Sequence, residues 1–343
     1  MLVEENDLIL SRVDQRKKLQ RRILIGVAIV LLAAILGLFT YSGYTYWNFI
    51  NKIAEGKSGI GEPNGNGEQV IRLENRAFAT LIIGLDARPG MINYNTDVLI
   101  VAILNPETKK TSLLSIPRDI KVTVPGYGDH KINALYSIGE HEKILQENRG
   151  EPVTASGIDL LLKAVSDFLD IPVEHYAFLD FKGFEAIIDK LGGITVNVDR
   201  YMHYIGESDG TYINLRPGEQ RLSGKQALDF ARFRLSSDGN DSNDFARNRR
   251  QQEIIRAFVD ELKTVNGLSN IFGILNTAGD HIKLSFSKEE ILPLILKYKG
   301  LQSSDIETIK FEAEWESPYV VVSDAEMDRV KAELKERFKV SEK

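Results

Sequence analysis

Residues 97–117 read "DVLIVAILNPETKKTSLLSIP" and predict two β-strands joined by a hairpin turn. The runs 97–105 and 110–117 are short, apolar and bounded by turn residues, and "NPETKK" between them has the composition of a tight turn. The upstream run "FATLIIGLD" (78–86) has the same character. We therefore expect three adjacent strands at the centre of a β-sheet.

Helical patterns follow these strands. In "SGIDLLLKAVSDFL" (156–169), Ser156 and Asp159 are spaced as a capping box before apolar residues at helical intervals. A strand, "ITVNV", is predicted at 194–198. Further helices are predicted at 182–193, where two glycines end the pattern, at 223–231 and at 245–264. Strands and helices mingle without strict alternation and without an internal repeat, which predicts an α/β (α+β) fold with a mixed central sheet flanked by helices.

The composition excludes several classes of site. The chain has 343 residues, of which 43% are hydrophobic, so it can bury a full core. It contains no cysteine, which excludes disulfide frameworks, cysteine-zinc sites and thiol catalysis. Neither a GxSxG nor a GxxxxGK[ST] sequence is present, so the standard serine hydrolase and P-loop interpretations are excluded as well.

The N-terminus has the pattern of a membrane anchor. Residues 23–51 carry no charge, and 23–47 are long enough for the roughly 20 residues of a transmembrane helix. Six basic residues precede this segment and four aromatic residues (Tyr41, Tyr44, Tyr46, Trp47) lie at its C-terminal end, which predicts that residues 1–22 are in the cytoplasm. A cleaved signal peptide is the alternative, but the apolar run exceeds a typical signal and no small-x-small site precedes the aromatic residues.

The anchor divides the remaining chain into a linker and one domain. Residues 48–76 are rich in glycine and polar residues and are predicted to form an extracellular stalk, followed by a folded domain at 77–343. The net charge is −6 although residues 1–22 are net basic, so the outer part is acidic. A nucleic-acid-binding surface needs a broad basic field, and the sequence therefore does not indicate one.

Five arginines nevertheless gather in "ARFRLSSDGNDSNDFARNRRQQ" (231–252). A helix over 245–264 would place Arg247 and Gln251 at the start of the stripe that continues with Ile254. Inward-facing polar groups must be paired or must bind a ligand, because an unpaired buried charge is costly. Three interpretations remain open: an anion site at the start of the helix, where Asp244 is a candidate N-cap, a structural ion-pair network, or a surface run.

The aspartates of this segment do not form a calcium loop. A loop starting at Asp238 would have Asn243 where glycine is needed and Arg249 where glutamate is needed. Arg232 and Arg234 share a face only if the chain between them is extended.

A second polar cluster lies at predicted strand ends. Asp86 ends one strand, Asp97 starts the next and Arg118 follows a third. Each alone is more typical of a turn. Together, two carboxylates can hold Mg²⁺ while leaving positions for substrate phosphates, and the arginines can take the remaining phosphate charge, so the pattern outlines a diphosphate site.

The ordered motifs of residues 78–252 resemble the LytR-CpsA-Psr family of cell-envelope proteins. They are "IIGLDARPG", "NTDVLIVAILNP", "SIPRD", "HKINALYSIG", "LGGITVNV", "LSGKQALDFARFR" and "DFARNRRQQ", behind a membrane anchor. Residues 266–343 are covered weakly. The resemblance implies an extracytoplasmic phosphotransferase of a Gram-positive-type envelope that attaches wall teichoic acid or capsular polysaccharide, carried on a polyprenyl diphosphate, to peptidoglycan.

The resemblance also implies roles for single residues. Asp86 and Asp97 would hold Mg²⁺ or Mn²⁺ and, with Arg118, form the catalytic set. The diphosphate contacts would come from Arg88, Arg118, Lys131, Asn133, Arg232, Arg234, Arg247 and Gln251. The family usually has arginine where this chain has Asn95, so the diphosphate contact there is weakened or supplied differently.

The implied reaction needs positioning and charge neutralisation rather than a covalent nucleophile. An apolar tunnel should hold the lipid, and the helices at 156–169 and 182–193 are candidates for its walls, although ordinary core packing explains them equally well. Three alternative functions remain: a polyprenyl-diphosphate pyrophosphatase, a non-catalytic transcriptional attenuator of the envelope, and a glycopolymer-binding module.

Overall fold

The computed structural model describes residues 40–54, 73–85, 96–206, 211–234, 236–237 and 244–338. The chain divides into two compact units, Met1–Asn48 and Phe49–Lys343. In the first unit the described residues, 40–48, are helical. The predicted membrane helix at 23–47 lies mostly outside the described residues. Within the described part of the chain, no helix is both long enough and apolar enough to cross a bilayer.

The strands are short, apart from those at the centre of the fold: β1 (Phe78–Leu85), β2 (Thr96–Asn105), β3 (Lys110–Ser115), β4 (Lys121–Val124), β5 (Gly128–Lys131), β6 (Val173–Asp180), β7 (Ile194–Val198), β8 (Met202–Ile205), β9 (Tyr212–Leu215), β10 (Gly218–Leu222), β11 (Ile282–Leu284), β12 (Ile306–Thr308), β13 (Glu314–Glu316) and β14 (Tyr319–Val321).

The helices are α1 (40–53), α2 (Leu135–Arg149), α3 (Gly157–Leu169), α4 (Phe181–Leu191), α5 (Gly224–Arg232), α6 (Asp244–Leu262), α7 (Val265–Ser269), α8 (Ile271–His281), α9 (Lys288–Tyr298) and α10 (Asp324–Phe338). Short 3-10 helices cover Leu73–Asn75, Ile132–Ala134 and Ser303–Asp305.

A six-stranded mixed sheet forms the centre, in the order β11-β6-β1-β2-β3-β12. Strand β1 pairs antiparallel with β2 and parallel with β6, and β2 pairs antiparallel with β3 from Asn105–Lys110 to Ile100–Ser115. The predicted hairpin and the predicted fold class are therefore confirmed. Because β3 ends where β2 begins, the first residues of β2 and the residues that follow β3 meet at one end of the sheet.

Both faces of this sheet are buried, which explains why its strands read as continuous apolar runs. Alternate side chains of a strand point to opposite faces. On one face Leu81 and Val101 belong to a core that includes Leu161 and Val165 of α3. On the other face Ile100, Ala102 and Leu113 pack with Ile255 and Val259 of α6.

The predicted helix ends agree with the structure. Ser156 accepts from the Asp159 N–H while the Asp159 side chain accepts from the Ser156 N–H, so the capping box of α3 is present. Helix α4 ends at Gly192, whose φ of 87° is in the left-handed region that glycine adopts without strain.

The start of the second unit is attached to its body. Phe49 and Ile53 are buried, Lys52 forms an ion pair with Asp280 at 2.8 Å, and Lys288 Nζ donates to Asn51 Oδ1 at 2.6 Å. The stalk predicted at 48–76 thus begins with a packed segment. Residues 55–72 lie outside the described residues, and the extent of the linker stays a prediction.

Candidate functional site

Asp97 and Arg118 lie beside each other at the end of the sheet where β2 begins and β3 ends. Arg118 Nη1 donates to Asp97 Oδ1 at 2.9 Å, and the two side chains are 29% and 24% exposed. Arg118 Nε lies 3.7 Å from Asp119 Oδ2, too far for a hydrogen bond, and this buried nitrogen has no hydrogen-bond partner among the described residues. Within the described part of the chain, Arg118 Nε therefore keeps a hydrogen-bond donor that no acceptor uses.

Asp119 connects Arg118 to Lys131. Lys131 Nζ lies 2.9 Å from Asp119 Oδ1 and 5.5 Å from the centre of the Trp315 ring. The backbone N–H of Asn133 donates to the Arg118 carbonyl at 3.2 Å, so this buried residue fixes the backbone that carries Arg118. Lys131 and Asn133 thus lie beside Arg118, as the resemblance implies.

Helix α5 positions the next two arginines. Ser223 and Gln226 form a capping box at its start, and the Gly224 N–H donates to Asp189 Oδ1 at 2.7 Å. A Cβ atom on Gly224 would lie 2.1 Å from the Glu185 carbonyl oxygen, so only glycine allows α5 to approach α4 this closely.

Arg232 is the last residue of α5, and Phe233 after it is extended, with φ −56° and ψ 123°. The condition for Arg232 and Arg234 to share a face is therefore met, and both line one polar cavity of about 180 Å³. The Arg232 guanidinium lies 4.9 Å above the centre of the Phe181 ring.

Helix α6 starts with a carboxylate between two arginines. Asp244 Oδ1 lies 3.1 Å from Arg234 Nε and 3.2 Å from Arg247 Nη2. Both contacts are within ion-pair distance, yet this buried oxygen has no hydrogen-bond partner in the described part of the chain.

Arg247 is 4% exposed, and its Nε likewise has no hydrogen-bond partner among the described residues. Burial lowers the pKa of Arg247, and the positive charges of Arg118 and Arg234 lower it further, while Asp244 and Asp97 raise it. Arg247 therefore lies within electrostatic reach of the Asp97–Arg118 pair, which brings the described residues of the two polar clusters together.

Arg250, three residues later, is a structural residue. Its Nε and Nη2 donate to the two oxygens of Asp199 at 2.7 and 2.9 Å, and its Nη1 donates to the Phe233 carbonyl at 3.0 Å. Burial raises the pKa of Asp199, but the hydrogen bonds and charge of Arg250 outweigh this and hold it below its ordinary value. The arginine segment thus contains both an open cluster and an ion-pair network.

An apolar cavity of about 130 Å³ adjoins the arginines. It lies between the sheet and helices α4, α5 and α6, and it is lined by Ile82, Ile83, Gly84, Val98, Ile100, Leu179, Phe181, Phe184, Leu228, Ala231, Arg232, Gln251, Ile254 and Ile255. Of the two candidate wall helices, α4 lines this cavity through Phe181 and Phe184. The apolar stripe of α3 packs into the core on the opposite face of the sheet, as the alternative of ordinary core packing predicts.

Most predicted site residues converge in this region. Gln251 lines the apolar cavity, and its Nε2 donates to the Ala231 carbonyl at 3.5 Å. Asp86, Arg88 and Asn95 lie outside the described residues. Among the described residues, no three carboxylate, histidine or cysteine side chains are grouped to hold a metal ion.

Two carboxylates of the site were not predicted as functional. Asp119, which follows Arg118 directly, is not among the residues predicted from the sequence, and Asp244 is predicted only as a candidate helix N-cap. The spacing of Asp244 and Arg247, three apart at a helix start, is the signal that could have revealed that pair.

The comparisons with known proteins agree with this architecture. The model of the LytR_cpsA_psr family matches residues 44–336. The chain belongs to the LytR-CpsA-Psr family. Among its relatives is TagU of Oceanobacillus iheyensis, named a polyisoprenyl-teichoic acid–peptidoglycan teichoic acid transferase, which is 31% identical over 76% of each chain.

TagV of Bacillus subtilis, a family member with the same transferase name, is 30% identical over 85% of this chain and 71% of its own. The crystal structure of B. subtilis TagV matches with a TM-score of 0.58 at 30% identity, over 77% of this chain and 98% of that one.

Proposed function

We propose that the protein is an envelope transferase that moves an anionic glycopolymer, such as wall teichoic acid or capsular polysaccharide, from a polyprenyl diphosphate to peptidoglycan. The transferase names of TagU and TagV support the reaction class. The physical support comes from the arrangement of charge and apolar surface in this chain.

The observation that carries the proposal is the environment of Arg247. This guanidinium is 4% exposed and lies beside two further arginines. Asp244 Oδ1 lies 3.2 Å from its Nη2, but its Nε has no hydrogen-bond partner within the described residues, so a further anion would stabilise it. A diphosphate supplies charge and several acceptor oxygens, and arginine's planar fork suits phosphate oxygens. Arg118 Nε, also buried and unpartnered in this part of the chain, favours the same ligand.

The apolar cavity has the chemical character that the lipid end of such a ligand needs next to the arginines. Arg232 lines both the polar and the apolar cavity, so a diphosphate at Arg232 could extend a hydrocarbon chain between Ile82 and Ile254. Desolvating a polyprenyl chain provides binding energy. A soluble phosphate compound has no hydrocarbon chain that would occupy this cavity.

The reaction then follows from phosphoryl-transfer chemistry. A sugar hydroxyl of peptidoglycan, by family analogy the C6 hydroxyl of a muramic residue, attacks the phosphorus that carries the glycopolymer. The new P–O bond forms as the P–O–P bridge breaks, polyprenyl phosphate leaves, and the hydroxyl proton is lost to a base. Arg118, Arg234 and Arg247 hold the phosphates in place and neutralise charge as it develops on the leaving oxygen.

We also propose that Mg²⁺ or Mn²⁺ assists this reaction. Mg²⁺ is usually held by one or two carboxylates together with substrate phosphates. The described residues supply Asp97, whose Oδ1 is held by Arg118, and the resemblance assigns the second carboxylate to Asp86. Asp97 and, as the resemblance implies, Asp86 would hold the metal together with the diphosphate. When bound, the metal would help to neutralise the negative charge of the diphosphate.

The proposed location is the outer face of a cell membrane, with a single N-terminal anchor and the domain outside. The support is the basic flank and the aromatic flank of residues 23–47. A reporter enzyme fused after Lys343 should be active only outside the membrane, and cytoplasmic activity would contradict the location.

The transfer reaction can be separated from hydrolysis by its products. The full-length protein is incubated with a polyprenyl-diphosphate-linked oligosaccharide, peptidoglycan fragments and Mg²⁺ in ¹⁸O-labelled water. We expect a sugar-phosphate-peptidoglycan product without ¹⁸O, together with polyprenyl phosphate. A product phosphate that contains ¹⁸O would identify a pyrophosphatase instead, and binding without turnover would indicate a regulator or binding module.

A further inference from the structure

Helix α9 carries an exposed apolar face. Leu292, Ile295 and Leu296 are 43%, 45% and 55% exposed in the described part of the chain. Their spacing of three and four residues places them on one side of the helix, whereas Ile291 is buried. Single exposed apolar side chains are ordinary on a protein surface, but grouped ones indicate a contact with a partner or a membrane. The candidate site described above does not involve this face.

Two exposed lysines extend the same face. Lys288 lies one turn before Leu292, and Lys299 lies four residues after Ile295. The steps from 288 through 292 and 295 to 299 keep these side chains on one side of the helix. Lysine side chains reach the headgroups of a bilayer while their apolar neighbours enter its hydrocarbon boundary. The face therefore has the composition of a helix that lies in a membrane surface.

The start of α9 is held beside the segment that follows the predicted membrane helix. That helix, 23–47, ends two residues before Phe49, and two residues span at most about 7 Å. Phe49 is buried, and Lys288 Nζ donates to Asn51 Oδ1 at 2.6 Å. A membrane helix that ends at residue 47 therefore brings the start of α9 close to the bilayer.

Helix α9 lies at the end of the central sheet opposite to the candidate site. It contacts the 3-10 helix Leu73–Asn75, which shortly precedes β1. Phe78, the first residue of β1, pairs with Leu104 near the end of β2, whereas Asp97 lies near the start of β2. The Asp97–Arg118 pair is therefore separated from α9 by the length of β1, which is roughly 25 Å for its eight residues.

Apolar side chains connect these two ends of the sheet. Along β2, Val98 and Ile100 line the apolar cavity, and Ala102 and Leu104 continue the same face of the strand. Leu301, three residues after α9, packs against the same cluster. A polyprenyl chain whose diphosphate lies at the arginines could therefore extend from the cavity along this surface toward α9.

We propose that α9 lies in the outer surface of the membrane, with Leu292, Ile295 and Leu296 inserted among the lipids. The proposal rests on the proposed function and location, and it adds the face of the domain that contacts the bilayer. The diphosphate site is then on the side of the domain away from the membrane, and the lipid chain of the donor leads back to the bilayer. Residues 55–72, outside the described residues, are mostly glycine and polar residues and offer little apolar surface to cover this face instead.

The absence of cysteine allows a test at single positions of the full-length protein. Ile295→Cys and Ile205→Cys are each labelled with the fluorophore NBD and reconstituted singly in phosphatidylcholine nanodiscs. Ile205 is the matched control, because it is 53% exposed on β8 beside Tyr204, which lines the polar cavity at the arginines. Nitroxide groups on the lipid acyl chains should quench the label at position 295 at least about threefold more strongly than the label at position 205, because only the first lies at the acyl boundary.

Melting temperatures close to that of wild type should show that both variants are folded. Equally weak quenching with solvent-like emission at both positions would show that α9 faces water, which would overturn the proposal and leave the apolar face for a second copy of the chain. Blue-shifted emission without quenching at position 295 would assign the cover to residues 55–72 and would overturn it as well. A wild-type protein that transfers no glycopolymer would contradict the proposed function, whereas strong quenching at position 295 would still support the membrane contact.

Discussion

Arg247 and Arg250 are both almost completely buried and lie three residues apart in α6, yet only Arg250 has a carboxylate that satisfies it. Arg250 forms a bidentate pair with Asp199, whereas Arg247 Nε has no hydrogen-bond partner within the described residues. The same residue type therefore completes a bidentate ion pair at one position and, within the described residues, keeps an unpartnered Nε at the other. Arg250 thus supports the structural interpretation of the arginine segment, and Arg247 supports the anion-binding interpretation.

Arg250→Lys should destabilise the protein. Lysine keeps the charge but cannot bond both oxygens of Asp199 and the Phe233 carbonyl at once. Each lost charge-assisted hydrogen bond costs ~1.5 to 3 kcal/mol, so a chemical denaturation curve should show a loss of that order in the free energy of unfolding. An unchanged free energy of unfolding would mean that the Arg250–Asp199 pair does not stabilise the fold.

Arg247→Lys, in contrast, should weaken ligand binding without destabilising the protein. We expect binding of a polyprenyl diphosphate to fall about tenfold or more, since the bidentate fork is lost, with little change in the melting temperature. The same measurement on Arg232→Lys and Arg234→Lys should give weaker binding too. Undiminished affinity in all three variants, together with lower melting temperatures, would assign these arginines to a structural network instead.

Asp97→Asn should abolish transfer while leaving the fold intact. The change removes the charge that pairs with Arg118 and the proposed metal ligand, but a partly exposed ion pair contributes only about 1 kcal/mol or less to stability. Transfer is measured over a range of Mg²⁺ concentrations. Asp129→Asn, at an exposed carboxylate paired with Lys121, is the control and should retain activity. Wild-type transfer by Asp97→Asn would contradict the metal proposal.

Stability should decline as the pH falls below the ordinary pKa of histidine, about 6.5. Burial lowers the pKa of His175, which is 3% exposed and stacks on Phe286 with ring centres 4.5 Å apart. The unfolded chain then binds a proton at a pH where the folded chain does not, so acidification favours unfolding. Melting temperatures between about pH 7.5 and 5.5 should fall less steeply in His175→Phe than in wild type.

The control for this experiment is His141→Gln, at an exposed position of α2, which should keep the wild-type slope. Parallel pH profiles for wild type and His175→Phe would show that His175 is not the responsible group.

Filling the apolar cavity should impair binding of long lipids selectively. Ala231 lines the cavity and is 7% exposed, so Ala231→Leu adds bulk where the prenyl chain is proposed to lie. We expect binding of a long polyprenyl diphosphate to weaken, while a geranyl diphosphate with its short chain is held largely by the arginines and is affected less. Ala164→Leu on α3, equally buried but outside this cavity, is the matched control. Equal effects on both ligands would place the lipid elsewhere.

The sequence predicted the parts of this protein that depend on local patterns. The β2–β3 hairpin, the Ser156–Asp159 capping box and the glycine stop after α4 each follow from residues close together in the chain. The proximity of Asp97 and Arg118 follows from the antiparallel pairing of β2 and β3, because the start of β2 and the end of β3 lie at the same end of the sheet.

Tertiary contacts decided what the sequence left open. Arg247 and Arg250 cannot be told apart from the sequence. In the structure Asp199, directly after β7, pairs with Arg250 and not with Arg247, so Arg250 is the one that has a structural partner. Helices α3 and α4 both have strong apolar stripes, and the face of the sheet on which each packs determines which one lines the cavity. Asp119 and Asp244 belong to the candidate site because the fold brings them next to Arg118 and Arg234. The contact between Asp244 and Arg234 depends on tertiary structure and cannot be read from the sequence.

The central claim is tested most directly by a structure of the protein with a polyprenyl diphosphate bound. The account predicts that Arg118 Nε and Arg247 Nε both donate to phosphate oxygens at hydrogen-bond distance, while the hydrocarbon chain lies between Ile82 and Ile254. The contrary result is a lipid bound elsewhere, with both Nε atoms satisfied by carboxylates of this chain. In that case the arginine cluster would be an ion-pair network and not a diphosphate site.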